Sequence, residues 1–383
     1  MSYLMSNYAP LAVTFVKGEG CMLTSTQGEQ YLDALSGVGV VGLGHCHPDI
    51  TAAIQLQAGE LLHTSNWYHI QHQETLAKEL CMAANMDKAF FGNSGAEANE
   101  AAIKMTRLHA YSNNINHPII LTANQSFHGR TMATLSATGN PKVQAGFSPL
   151  ISEFIHVDFD DVDAIKAHTD NASVVAVMLE PIQGESGVIV PADDYLNQVQ
   201  KICQANNWLL ILDEVQTGIG RTGKLFAHQY NGITPDILTL AKGLGNGVPI
   251  SACLAKGKAA ELLTVGTHGS TFGGNPLVSK TALAVLDVIK KDNILDNVNT
   301  ISAYLLAGLQ ALSSDKIVEI RIKGLMIAIE LNQDCTELLN AALKKHLLIN
   351  ITGRSIRLLP PLILNQNEAD IIIITLDELL GAL

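Results

Sequence analysis

Three places in this sequence put reactive or charge-binding groups at the ends of what read as buried strands. Lys242 stands in "LTLAKGLGNGVPI" (238–250), between an apolar run and a cluster of glycines. Asp213 closes the apolar run "LLILDE", and "FGNSGAEANEAAIK" joins a strand end to a helix start through Ser94, Gly95 and Ala96. An amine placed like Lys242 can grip phosphate, carry a surface charge or act as a covalent catalyst. No G-x-x-x-x-G-K-[ST] pattern surrounds it, so a Walker-type phosphate lysine fails on spacing. Asp213 lies at the carboxyl edge of a sheet, where open α/β folds bind ligands, and a carboxylate buried there needs a partner. One strand unit later "DILTLAK" ends at the same edge, so a plain Asp213–Lys242 salt bridge is an open alternative to a catalytic pair.

The turn at Ser94, Gly95 and Ala96 adds a third function. Small residues leave the first N–H groups of a helix open, and such N-termini bind phosphate. A serine cap accounts for Ser94 but not for all three small residues. A phosphate cradle, a buried carboxylate and a strand-end lysine are jointly what pyridoxal 5'-phosphate requires. The helix holds the phosphate, the acid keeps the ring nitrogen protonated and the lysine forms the imine. Phe127 in "SFHGR" offers a face for the ring. Two other patterns are weaker. Gly218, Gly220 and Gly223 match G-x-G-x-x-G, but Gly232 and Pro235 follow where a dinucleotide fold needs a helix and then an acid, so a tight loop is expected. "GHCHP" (44–48) lacks a second ligand pair, and a turn before a helix starting near Pro48 is expected in place of a metal site.

Elements able to position these groups are legible in the hydropathy. From about 85 to 275 short apolar runs alternate with helical or loop segments: "PIILTA", "SEFIHV", "SVVAVMLE", "NWLLILDE", "DILTLAK" and "ISACLA". Continuous apolarity predicts strands buried on both faces, hence an α/β fold with a mostly parallel sheet flanked by helices. In "GAEANEAAIKMTRLHA", Ala98, Ala101, Ala102, Met105 and Leu108 recur at helical spacing and predict a face packed on that sheet. After Pro276 helical stretches alternate with short strands, which predicts a smaller α+β domain. The division expected is 1–45 as an N-terminal segment packing with the small domain, 46–276 as the large domain and 277–383 as the C-terminal small domain.

At 383 residues, with 47% hydrophobic content and a net charge of −12, the chain can bury a large core but carries no basic block that could follow a phosphate backbone. Nucleic acid and membrane are therefore not expected as partners, since the apolar runs are far short of the roughly 18 residues that span a bilayer. Six scattered cysteines, never in C-x-x-C, predict reduced core thiols, and the N-terminus lacks a signal-peptide pattern, so a cytoplasmic protein is expected.

Ordered pieces along nearly the whole chain resemble the class III aminotransferases of pyridoxal-phosphate fold type I. They are "NYAPLAVTFVKGEG", "YLDALSGVGVVGLGHCHP", "HTSNWY", "GNSGAEANEAAIK", "SFHGRT", "EPIQGESGV", "LDEVQTGIGRTG", "AKGLGNGVPI", "GSTFGGNP" and "IRLLPPL". The resemblance implies that Lys242 is the Schiff-base lysine, that Asp213 meets the pyridine nitrogen, that Gln216 bonds the phenolic oxygen and that Phe127 stacks on the ring. Ser94, Gly95 and Ala96 would hold the phosphate with Thr271 of a second subunit, which implies a homodimer with shared active sites. Arg130 would grip the α-carboxylate of an N-acylated ornithine and Arg357 that of 2-oxoglutarate or glutamate, with Glu185 as a gate on Arg357. The branch most resembled implies transfer of the δ-amino group of N-acetylornithine to 2-oxoglutarate, as in arginine biosynthesis. Val38 stands where ornithine-specific members usually carry tyrosine, which favours an acylated nitrogen. N-succinylornithine, succinyl-diaminopimelate, ornithine and 4-aminobutyrate are the alternative donors within the family.

Overall fold

A computed structural model describes residues 3–383. Strands β1 (Phe15–Glu19), β2 (Met22–Ser25) and β3 (Gln30–Asp33) form an antiparallel meander. Seven further strands build the central sheet: β4 (Lys88–Gly92), β5 (Ile119–Ala123), β6 (Phe154–Val157), β7 (Val174–Leu179), β8 (Leu209–Asp213), β9 (Ile237–Leu240) and β10 (Ser251–Ala255). Their spatial order is β4-β10-β9-β8-β7-β5-β6. Every residue of β7, β8, β9 and β10 is buried, as expected for strands covered on both faces.

Pairing is parallel from β9 through β8, β7 and β5 to β6, whereas β10 runs against both of its neighbours. Apolar continuity marked "ISACLA" as a buried strand but could not give its direction. The connection settles it, because residues 241–250 between β9 and β10 are too few for the helical crossover that parallel neighbours need.

The helix Gly95–Ser112 lies on this sheet through Ala98, Ala101, Ala102 and Met105, which pack with Ile120, Ala176, Ile211 and Cys253. Leu108, expected on the same face, is only half-buried at its rim, while Ile103, Thr106 and His109 are buried instead. Alanines at these positions let the helix axis approach the strands closely enough for its N-terminus to reach the sheet's carboxyl edge.

Beyond the sheet, Asn275 caps the helix Pro276–Lys291 by accepting from the Val278 N–H at 3.1 Å, and that helix packs on Pro48–Glu60 and Gln71–Ala84. The helix Ile294–Gln310 packs against Gln366–Gly381. Strands β11 (Ile317–Lys323), β12 (Met326–Leu331), β14 (Asn350–Thr352) and β15 (Ser355–Leu358) form an antiparallel sheet ordered β11-β12-β15-β14. The two-residue strand β13 (Leu347–Leu348) pairs in parallel with β3, so the N-terminal meander is completed by a C-terminal strand.

Candidate active site

The strands β7, β8 and β9 end side by side, and a cavity of about 440 Å³ opens at their carboxyl edge. Ser94, Gly95, Ala96, Phe127, Arg130, Glu185, Asp213, Gln216 and Lys242 all line it. The polypeptide thus brings together nine of the residues singled out from sequence.

Lys242 follows β9 in a short 3-10 turn and itself adopts a left-handed backbone, with φ 42°. That conformation is unfavourable for a side chain of this kind and turns the amine toward the cavity. The left-handed turn thus falls on the lysine itself and not on the glycine that follows it. Gly245 is needed for a different reason, since a Cβ there would stand 1.9 Å from the Val248 carbonyl oxygen. The Lys242 amine has no hydrogen-bond partner among the described residues, and burial lowers its pKa below the usual amine value. The Arg357 charge adds to that effect, while Glu185, Asp213 and Glu180 oppose it.

Asp213 does not form the salt bridge with Lys242 that sequence left open. Its Oδ2 accepts from Asn99 Nδ2 at 2.7 Å and His128 Nδ1 at 2.8 Å, and its Oδ1 accepts from the Val215 N–H at 3.0 Å. Asn99 is fixed in turn, because its Oδ1 accepts from Thr239 Oγ1 at 2.8 Å and its Nδ2 also reaches the His128 carbonyl at 2.7 Å. A carboxylate can only accept, so these donors hold it in one orientation with its charge facing the cavity.

At the helix start, Ser94 Oγ accepts from the Glu97 N–H at 3.3 Å, so it is the N-cap. The N–H groups of Gly95 and Ala96 make no hydrogen bond among the described residues and lie at the cavity. Packing also limits these positions: a Cβ on Gly95 would stand 2.7 Å from Val215 Cγ1. The fit to pyridoxal phosphate rests on what is left unpaired: two open N–H groups at a helix N-terminus, a lysine amine without a partner and a buried Gln216 Oε1 with none.

On the opposite wall Arg357, on β15 and 1% exposed, donates through Nη1 to the Gly184 carbonyl at 2.8 Å and contacts Glu185 Oε1 at 2.9 Å. Its Nη2 reaches Glu185 Oε2 at 3.3 Å, and Gln216 Nε2 donates to Glu185 Oε1 at 3.3 Å. Burial alone would raise the Glu185 pKa, but Arg357, then Lys242 and Gln216, outweigh it and hold the carboxyl below its ordinary value. Glu185 lines the cavity and Arg357 lies behind it. Arg130 is exposed at the mouth, its guanidinium carbon 5.5 Å from the Phe127 ring centre.

Thr271 is not brought to this cavity by its own chain. It is exposed and lines a separate hollow with Asn66, Trp67 and Ser270. The histidines of "GHCHP" part company: His45 Nε2 bonds Asp33 Oδ2 at 2.8 Å, whereas His47 Nε2 stands 4.0 Å from Asp292, and the helix does begin at Pro48. The glycines of "TGIGRTG" form consecutive turns between β8 and a 3-10 helix at Ala227–Tyr230, and Arg221 within them is buried and bonds the carbonyls of Leu325 and Pro360. Sequence reasoning missed Asn99, His128, Glu180 and Val40. Glu180 carried a usable signal, since it closes the run "VVAVML" just as Asp213 closes "LLIL".

The family model for class-III aminotransferases matches residues 3–380. An acetylornithine aminotransferase of Nitrosomonas europaea is 51% identical, over 99% of this chain and 98% of its own. The ornithine aminotransferase of Toxoplasma gondii, in a structure with partial occupancy of PLP at the active site, superposes with a TM-score of 0.95 at 34% identity, covering 99% of this chain and 92% of its own. An acetylornithine aminotransferase from Elizabethkingia anophelis gives a TM-score of 0.90 at 34% identity, covering 99% and 96%.

Proposed function

The chain belongs to the class-III aminotransferases, which depend on pyridoxal phosphate, and on that premise we propose that it transfers the δ-amino group of N-acetylornithine to 2-oxoglutarate. The products are N-acetylglutamate 5-semialdehyde and glutamate, a step of arginine biosynthesis in the cytoplasm. The observation that carries this reading is the Glu185–Arg357 pair at the wall of the cavity that holds Lys242. Such a pair suits two substrates of different charge taken in turn. The likeness to acetylornithine aminotransferases supports the choice of donor.

Pyridoxal phosphate supplies an electron sink for the pair left when a C–H bond beside the reacting nitrogen breaks. In this reading the open N–H groups of Gly95 and Ala96, with Ser94, would hold its phosphate, Asp213 would meet its ring nitrogen, Gln216 its phenolic oxygen and Phe127 one face of its ring. Lys242 holds the cofactor between turnovers. Its free amine would take the proton from the amine-bearing carbon of the donor and deliver it to the cofactor side of the reacting nitrogen, and its lowered pKa suits a base that must be neutral.

Arg130 at the mouth takes the α-carboxylate of the donor, whose reacting end carries no acid, so Glu185 stays on Arg357. 2-Oxoglutarate brings a carboxylate to that same end. Stripping a buried guanidinium of its partner costs roughly 3–5 kcal/mol, so Glu185 leaves only as the substrate carboxylate takes its place. In this reading residues 46–276 are the cofactor-binding domain, and the described N-terminal residues 3–45 with 277–383 make up the domain that carries Arg357. Thr271 reaches a phosphate only across a homodimer.

The test is spectral and then kinetic. The purified protein should be yellow and should bleach on addition of N-acetylornithine; a colourless protein that cannot be reconstituted sinks the reading. Rates with N-acetylornithine, N-succinylornithine, succinyl-diaminopimelate, ornithine and 4-aminobutyrate, each paired with 2-oxoglutarate, decide the donor. Val38 packs among Ile182, Val188, Met326 and Leu359 and does not line the cavity, so it is the likeness to acetylornithine aminotransferases that favours the acylated donors.

A further inference from the structure

Glu180 follows the last residue of β7, lines the cavity and is 6% exposed, yet none of the roles above uses it. Its two oxygens face opposite ways. Oε2 accepts from the Phe127 N–H at 3.1 Å, and Oε1 accepts from the Gly184 N–H at 3.4 Å. Phe127 carries the ring that faces the cavity. Gly184 precedes Glu185, and its carbonyl accepts from Arg357 Nη1 at 2.8 Å. A single buried carboxylate therefore joins the backbone of the aromatic wall to the backbone of the segment that bears Glu185.

We infer that Glu180 is a positioning residue that clamps the Phe127 loop to the Gly184–Glu185 segment, so that the seat of the cofactor ring and the position of the Glu185 gate are set together. The inference gives the gate of the proposed reaction its support and rests on that reading only for the gate's purpose. Breaking either hydrogen bond uncouples the two walls. The titratable groups that act on Glu180 are His128 on the Phe127 loop and Asp213 at the end of β8, Glu180 in turn acts on Lys242 after β9, and Glu185 on the clamped segment lines the same cavity.

The electrostatics agree with a retained functional acid. Burial raises the Glu180 pKa to about 7, with His128 opposing, Asp213 adding and the two N–H donors opposing. A carboxyl kept in so unfavourable a place is more readily explained by use than by stability. Above that value both oxygens accept well. Below it the protonated acid keeps one good acceptor, so the clamp loosens as pH falls.

The experiment compares the wild-type chain with Glu180→Gln, which keeps the shape but replaces one acceptor by an N–H donor. Amide hydrogen exchange on the cofactor-free and cofactor-loaded proteins is followed in peptides covering 124–130 and 181–187. We expect protection to fall at least about tenfold in one or both segments, with β8 unchanged, and the KM for 2-oxoglutarate to rise at least about threefold more than that of the amine donor. Unchanged protection in both segments overturns the clamp, and so does lost protection with the KM ratio unmoved. Should the variant not fold, wild-type protection factors at pH 6 and pH 8 decide: lower protection of these segments at pH 6 supports the clamp, and equal protection overturns it. If the wild type fails to turn over the proposed substrates, the exchange result still judges the clamp by itself.

Discussion

Asp213 and Glu185 are both carboxylates of the same cavity, yet they are held in opposite styles. Asp213 accepts three hydrogen bonds from the side chains of Asn99 and His128 and the N–H of Val215, and Asn99 is itself fixed by Thr239. All of these partners sit on or beside the central sheet. Glu185 depends on one guanidinium from a different sheet and on a 3.3 Å contact to Gln216. The first arrangement fixes a charge for good, and the second can be traded for another carboxylate. A site that meets one cofactor permanently and two substrates alternately needs both. The amine of Lys242, without a hydrogen bond among the described residues, feels the charge of both.

The sharpest way to break the contrast is to remove the amine that feels both. Lys242→Ala should lower transamination by at least ~10⁴-fold while the fold and the phosphate site persist, which circular dichroism and cofactor titration would report. Normal turnover in that variant would end the catalytic reading of the lysine. Next in size is the fixed carboxylate. Asp213→Ala leaves the His128 and Asn99 donors buried without their acceptor, and we expect a loss of about 3 kcal/mol in stability together with roughly 10²–10³-fold in activity. Denaturant midpoints and steady-state rates measure the two losses separately. If both stay near wild type, the network around Asp213 is incidental.

The exchangeable carboxylate predicts a smaller and more selective effect. Lys cannot reproduce the fork of Arg357, so Arg357→Lys should raise the KM for 2-oxoglutarate roughly 30-fold, equivalent to about 2 kcal/mol. The half-reaction with the amine donor alone, followed in a single turnover, should change by less than about twofold. Equal damage to both half-reactions would mean that Arg357 serves the fold and not one substrate.

Much of this division was legible before any coordinates. Strand-end logic found Asp213 and Lys242, because continuous apolar runs such as "LLIL" and "ILTL", short and bounded by turn signals, predict strands covered on both faces, and the polar residue closing such a run lies at the sheet edge. Asn99 and His128 were not legible as partners of Asp213, because they come from a helix and a loop that meet only in the tertiary fold. That is why the open Asp213–Lys242 salt bridge gave way. The direction of β10 was hidden because apolarity is blind to chain sense, though the short 241–250 connection encodes it. Thr271 shows another limit. One chain places it in a hollow apart from Lys242, and no pattern within a single sequence reveals where a second copy would lie.

The last contrast is between two acids five positions apart, and it shows in stability against pH and not in turnover. Burial pushes Glu180 up to about 7, so wild-type stability from this group falls as pH climbs from about 4.5 to about 7 and changes no further above. The Glu185 pKa lies below its ordinary value, so its contribution is fully present above about 4.5 and is lost only as pH drops through the lowered value. The melting temperature of Glu180→Gln relative to wild type should therefore climb between pH 4.5 and 7 and then level, with a total change of at most about 3 kcal/mol. Glu185→Gln should show a deficit that is constant above pH 5 and shrinks only in more acidic buffer. Thermal melts across pH 4 to 8 distinguish the two profiles. If both variants share one profile, the two carboxylates are not held in the opposite ways that their partners imply.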